Sequence, residues 1–183
     1  MEAEKGSNWL WVASILSAIL LAIIFILPPF PLAQSQVSPM KFLDSLWQTT
    51  FYKQISGFTL LGLSVATLLL SLRKRIVKFT WGSFPYWRVA HVLLGLLSLV
   101  VIFVHTGFRI GNELNFMLSV TFLGLLLVGI LASAVIAKEH RLTQQLSQRV
   151  LMRIRKMSIL THILLFWPIP ALLGFHILKS YYF

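Results

Sequence analysis

The chain has 183 residues, 57% of them hydrophobic and only 11% charged, with a net charge of +11 and a mean hydropathy of +0.83. Soluble domains average about 45–50% apolar and about 25% charged residues, so this composition excludes a water-soluble globule and points to lipid as the solvent. There are no cysteines, which excludes disulfides, Cys-ligated iron–sulfur clusters and C-x-x-C-H haem attachment. The positive charge falls between apolar runs, which argues for membrane topology and against nucleic-acid binding.

A helix that crosses a bilayer needs about 20 predominantly apolar residues. The first run, Asn8 to Leu27, begins after Met1-Glu2-Ala3-Glu4-Lys5. That start lacks the basic character of a secretory signal, and the run exceeds a signal core of ~7–15 residues. It is therefore expected as a retained helix, stopped by Pro28 and Pro29, which cannot continue its hydrogen bonding. Next, Ser38 and Pro39 form a helix-start signal. Phe42, Leu43, Leu46 and Trp47 then share one face, as in a short helix lying on the membrane surface.

The second, third and fourth runs are Ile55 to Leu72, Trp87 to Phe108 and Leu114 to Ala137. Leu142, Leu146 and Val150 then recur every four residues among Arg and Gln. This spacing predicts a second interfacial amphipathic helix or an extension of the fourth span. The fifth run, Met157 to Lys179, contains Pro168 and Pro170, which should kink it. The expected fold is a single all-α domain over residues 1–183, an integral membrane bundle of five transmembrane helices with short interfacial amphipathic helices.

Lys and Arg orient it. Lys5, the group Arg73, Lys74, Arg75, Lys78 and Arg88, and the group Lys138, Arg141, Arg149, Arg153, Arg155 and Lys156 all fall on one side. Only Lys41, Lys53, Arg109 and Lys179 fall on the other. The positive-inside rule then places the amino terminus inside and the carboxyl terminus outside. The expected location is a bacterial cytoplasmic membrane.

Ionisable residues within spans are costly and usually functional. His91 and His105 lie in the third span, His162 and His176 in the fifth. Fourteen positions separate the members of each pair. That is nearly four helical turns, so both face one way, roughly 21 Å apart along the axis. The third and fifth spans run parallel, which sets His91 level with His162 near the inside and His105 level with His176 near the outside. If the helices face each other, each level offers two opposed imidazoles, the ligand set of six-coordinate haem iron. A four-ligand zinc site would need all four to converge, which this separation forbids. Any one of these histidines alone would read as a packing residue; two equally spaced pairs at matched depths point to two b haems.

Gly95, Gly107 and Gly174 near the ligands could make room for a flat cofactor, or serve ordinary small-residue packing. Leu94, Ser98 and Ile102, with Leu165, Phe166, Ile169 and Leu173, would fill the space between the two levels. Each histidine has a cation toward its own surface: Arg88, Arg109, Arg155 with Lys156, and Lys179. Arg88 and Arg109 are the candidates for haem propionates, because the guanidinium offers a bidentate fork; snorkelling explains such cations equally well. His140, among basic residues, belongs to neither pair.

Two H-x13-H motifs on the third and fifth helices resemble the dihaem membrane cytochromes b, and the ferric-reductase-like transmembrane domain in particular. The resemblance covers about Ile55 to Lys179. It implies iron ligation by His91 with His162 and by His105 with His176. Members of that family commonly add a sixth span and a cytosolic flavin and nicotinamide domain. Here the sequence closes after the fifth span and has no Gly-rich nucleotide loop, so its electrons are expected from elsewhere.

The leading expectation is therefore transmembrane electron transfer in a respiratory or redox complex. Other subunits are the expected partners, and a quinol or a partner subunit is the expected donor. The alternative is a self-contained reductase of an external metal ion or small molecule at the outer haem. A haem-free carrier is disfavoured, because the spans hold no Asp, Glu, Lys or Arg at depth.

Overall fold

The computed structural model describes residues 2–26, 49–76, 82–139, 142, 144 and 146–182, and all regular secondary structure among them is helical. The helices are α1 (Glu2–Ile26), α2 (Thr50–Arg75), α3 (Phe84–Thr106), α4 (Glu113–Ala137), α5 (Gln148–Phe166) and α6 (Pro168–Tyr182). The helix expected from Ser38, the stop at Pro28 and Pro29, and His140 lie outside the described residues.

Hydrocarbon offers the backbone no partners, so a spanning segment must satisfy its own N–H and C=O groups as a helix. Among the described residues, Phe84–Thr106, Glu113–Ala137 and Gln148–Tyr181 are long and apolar enough to cross a membrane, and Asn8–Ile23 is a shorter apolar helix. Large apolar side chains such as Leu93, Leu97, Phe116, Met117, Leu131, Leu164 and Trp167 are exposed, as suits contact with lipid. Serine hydroxyls turn inward on their own helices: Ser14 donates to the Leu10 carbonyl, Ser17 to Ala13 and Ser98 to Leu94, each at 2.8 Å. This satisfies the hydroxyl without water.

The chain forms two compact units, Ile19–Arg109, and Met1–Ala18 with Ile110–Phe183. In the first, α2 packs against α3. Pro85 sits in the opening turn of α3, where a missing N–H costs nothing. The helix ends at Gly107, in the left-handed region with φ 60°. The N–H groups of Gly107 and Phe108 both donate to the Phe103 carbonyl, at 2.8 and 3.3 Å. The Phe103 and Phe108 rings stack with centroids 5.1 Å apart, the apolar contact that accompanies this type of helix end.

In the second unit, α4 packs against both α5 and α6. The expected interruption of the last span is present: α5 ends at Phe166 and α6 begins at Pro168. Trp167, between them, keeps helical dihedrals (φ −55°, ψ −43°). The prolines thus remove hydrogen bonds while the backbone keeps its winding. Arg155 donates to both Glu139 oxygens, at 3.1 and 3.3 Å, and Lys179 lies 3.7 Å from Glu113. These ion pairs join α4 to α5 and α6 near the two ends of α4. Lys138 Nζ sits over the Trp11 ring of α1 at 4.5 Å.

The stripe Leu142, Leu146 and Val150 is not one helix. Leu146 N–H still donates to Leu142 at 2.8 Å, but the chain bends at Leu146 and Ser147. Val150 belongs to α5, which Ser147 precedes in extended conformation. A four-residue apolar repeat cannot reveal such a stop.

Candidate cofactor site

Each unit carries one histidine pair. In the Ile19–Arg109 unit, His91 and His105 stand on the uninterrupted helix α3, so the spacing argument applies directly. In the other, His162 is on α5 and His176 on α6, either side of the break at Trp167. All four rings are half-buried.

Each imidazole is held through Nδ1 by the helix packed beside it. His91 Nδ1 lies 3.0 Å from the Thr67 carbonyl, and His162 Nδ1 lies 3.1 Å from the Leu125 carbonyl. A carbonyl only accepts, so Nδ1–H donates in both. His105 Nδ1 lies 2.9 Å from Ser56 Oγ. With the single Ser56 hydroxyl proton on the Tyr52 carbonyl at 2.8 Å, the arrangement usual for a serine within a helix, the oxygen accepts from the ring. His176 Nδ1 lies 2.8 Å from Asn115 Oδ1, again an acceptor. A neutral imidazole that donates from Nδ1 carries its lone pair on Nε2. All four histidines thus present the same nitrogen as the potential ligand.

Glycines on the neighbouring helices make this approach possible. At Gly129, one turn beyond Leu125, an added Cβ would lie 3.0 Å from His162 Cε1 and 3.3 Å from its Nδ1. At Gly57, a Cβ would lie 3.4 Å from His105 Cε1. The carbonyl of Leu125 is reachable from the side because Gly129, the next residue up that face, has no side chain. Gly111 acts on Asn115. Its φ is +78°, and a Cβ there would stand 2.7 Å from Asn115 Cβ, so only glycine fits.

No family model, curated protein or solved structure matches this chain. The site therefore stands on its own geometry.

Gly107 ends α3, and an added Cβ at Gly174 would meet nothing within 4 Å. The glycines that touch histidine rings, Gly57 and Gly129, belong to α2 and α4 rather than to the helices that carry the histidines. Of the positions expected between the two levels, Ser98 and Ile169 are buried. The guanidinium of Arg88 lies over the Phe84 ring at 4.6 Å. Arg109 follows the left-handed pair Gly107 and Phe108 and is half-buried. Arg155 and Lys179 are engaged with carboxylates. Arg73, not singled out from the sequence, lies over the Phe84 ring at 5.6 Å and the Trp87 ring at 5.3 Å; the aromatic run from Phe84 to Trp87 was its only sequence signal.

Proposed function

We propose that this chain is the membrane electron-transfer subunit of a redox complex, holding two b haems by bis-histidine ligation. His91 and His162 ligate the inner iron, and His105 and His176 the outer. All five apolar segments are taken as spans, oriented in a bacterial cytoplasmic membrane with the amino terminus inside as the Lys and Arg bias directs.

The observation that carries this reading is the uniform treatment of the four imidazoles. Each Nδ1 lies 2.8–3.1 Å from an acceptor on the neighbouring helix; with Nδ1–H donating there, Nε2 would be the coordinating atom. Metal-bound histidines are held in this way by their outer-shell partners. Packing alone gives no reason for four histidines to share one spacing and one Nδ1 contact pattern. The donor set also suits the group, since low-spin haem iron takes two nitrogen ligands on opposite faces. When bound, haem supplies one-electron redox chemistry at its iron. The chain orients the ligands, keeps water away with apolar residues between the two levels, and offers Arg88 and Arg109 to the propionates. A partner subunit or a quinol is the electron donor in this proposal.

The test is optical. Purified full-length protein should show two low-spin b haems per chain by pyridine haemochrome and reduced-minus-oxidised spectra. His91→Ala and His162→Ala should each lose one spectral component, and His105→Ala and His176→Ala the other. A wild-type preparation without porphyrin ends the proposal; loss of both components from every variant refutes the two-level assignment.

A further inference from the structure

The four acceptors divide by chemistry. His91 and His162 donate to backbone carbonyls, those of Thr67 and Leu125. His105 and His176 donate to side chains, Ser56 Oγ and Asn115 Oδ1. The same division appears in both units. In each, the first helix of the packed pair supplies a side-chain acceptor near its start and a carbonyl about three turns further on. The units achieve this with different residues.

We infer that Ser56 and Asn115 are positioning residues that set the ligand strength of His105 and His176, so that this level is tuned by side chains while the His91 and His162 level is set by the helix backbone. This rests on the haem reading above. An acceptor at Nδ1–H draws the proton toward itself and enriches Nε2, making the imidazole a stronger donor to iron. A stronger donor favours the oxidised metal and lowers its potential. A helix carbonyl delivers that effect whatever residue bears it. A hydroxyl or an amide delivers it only while that side chain is present and correctly aimed.

Both side chains are aimed by their surroundings. The Tyr52 carbonyl lies 2.8 Å from Ser56 Oγ and takes its proton in the arrangement usual for a helical serine, leaving the oxygen to accept from His105, and Gly57 beside it admits the ring edge. Asn115 sits in the first turn of α4 under Gly111, whose positive φ and 2.7 Å approach leave no alternative residue there. Its own N–H is bound to the Asn112 carbonyl at 3.0 Å.

The experiment is a potentiometric titration of the purified full-length protein, following both spectral components, with low-temperature EPR of the oxidised form. Ser56→Ala and Asn115→Ala should raise the midpoint of the same component, the one absent from His105→Ala, and leave the other in place. Ser56→Thr, which keeps the hydroxyl, should restore the wild-type midpoint. Asn115→Asp, a stronger acceptor, should move the midpoint below wild type. The EPR signal of that component alone should shift in the alanine variants as its imidazoles reorient. Should Ser56→Ala shed the haem, retention by Ser56→Thr carries the same conclusion. Unchanged midpoints, shifts in different components, or equal shifts from Ser56→Ala and Ser56→Thr would each overturn the inference while leaving two haems in place. Absence of haem from the wild type would instead remove the reading beneath it.

Discussion

The two units solve one geometric problem by different means. In Ile19–Arg109, both histidines stand on a single unbroken helix of 23 residues, and their relation follows from helical pitch. In the other unit, the same fourteen-residue spacing crosses a break at Trp167, and alignment depends on what flanks it. There α4 is tied to α5 by Arg155 and Glu139 and to α6 by Lys179 and Glu113. In the first unit Arg73 and Arg88 lie over aromatic rings. A continuous helix carries its own register, whereas an interrupted one is held at both ends by its neighbour.

The largest test of this contrast removes the interruption. Pro168 and Pro170 occupy the first turn of α6, where a missing N–H is best tolerated. They nonetheless leave the carbonyls one turn earlier without helical donors, and a proline within a helix costs about 3 kcal/mol or more. Pro168→Ala with Pro170→Ala should fuse α5 and α6 and raise the thermal midpoint in detergent. His162 should keep its bond to Leu125, and the spectral component proposed for His176 reads whether fusion shifts that ring from Asn115. A double variant with an unchanged melting point and unchanged spectrum would show that the break is of no consequence.

A smaller effect separates the two glycines that face histidine rings. Gly→Ala inside a helix gains about 1 kcal/mol from propensity alone. At Gly57 the new methyl would meet His105 at an ordinary 3.4 Å, so Gly57→Ala should be neutral or stabilising. At Gly129 the approach is 3.0 Å, and the ring cannot retreat without losing Leu125. Overpacking of this kind costs roughly 1–3 kcal/mol, so Gly129→Ala should lower the melting point and weaken haem retention at His162. Equal behaviour of the two variants would argue that the ring of His162 is not held in place.

That asymmetry also marks what could be read in the sequence. Helix α4 was legible almost to the residue, because an apolar run bounded by Asn112 and Lys138 leaves little freedom. So was the break in the last span, since proline acts locally. The equal spacing of the two histidine pairs was visible in the sequence. Their partners were not. Thr67 and Leu125 act through carbonyls, which every residue has. Ser56 is one serine among several that bond to their own helix. Gly57 and Gly129 were missed because attention to the histidine-bearing helices looks on the wrong side of the contact. Asn115 was the most discoverable, as a polar side chain just inside an apolar helix at the depth of His176.

The ion pairs give the smallest effects, and their ranking is itself a test. Arg155 reaches both oxygens of Glu139 with side chains 40% and 43% exposed, while Lys179 and Glu113 are 58% and 84% exposed. Exposed pairs are worth about 0.2–1 kcal/mol in water and are screened by salt. Glu139→Gln should therefore cost up to about 1 kcal/mol, near the top of that range. Glu113→Gln should cost a few tenths of a kcal/mol at most, near the bottom. Both losses should shrink in high salt, as measured by thermal unfolding in a fixed detergent. If these pairs hold the interrupted helix in register, Glu113→Gln should disturb the component proposed for His176 more than its small stability cost implies, because Lys179 lies one turn from His176. A variant that changes stability without touching the spectrum would leave the alignment of His176 to Asn115 alone.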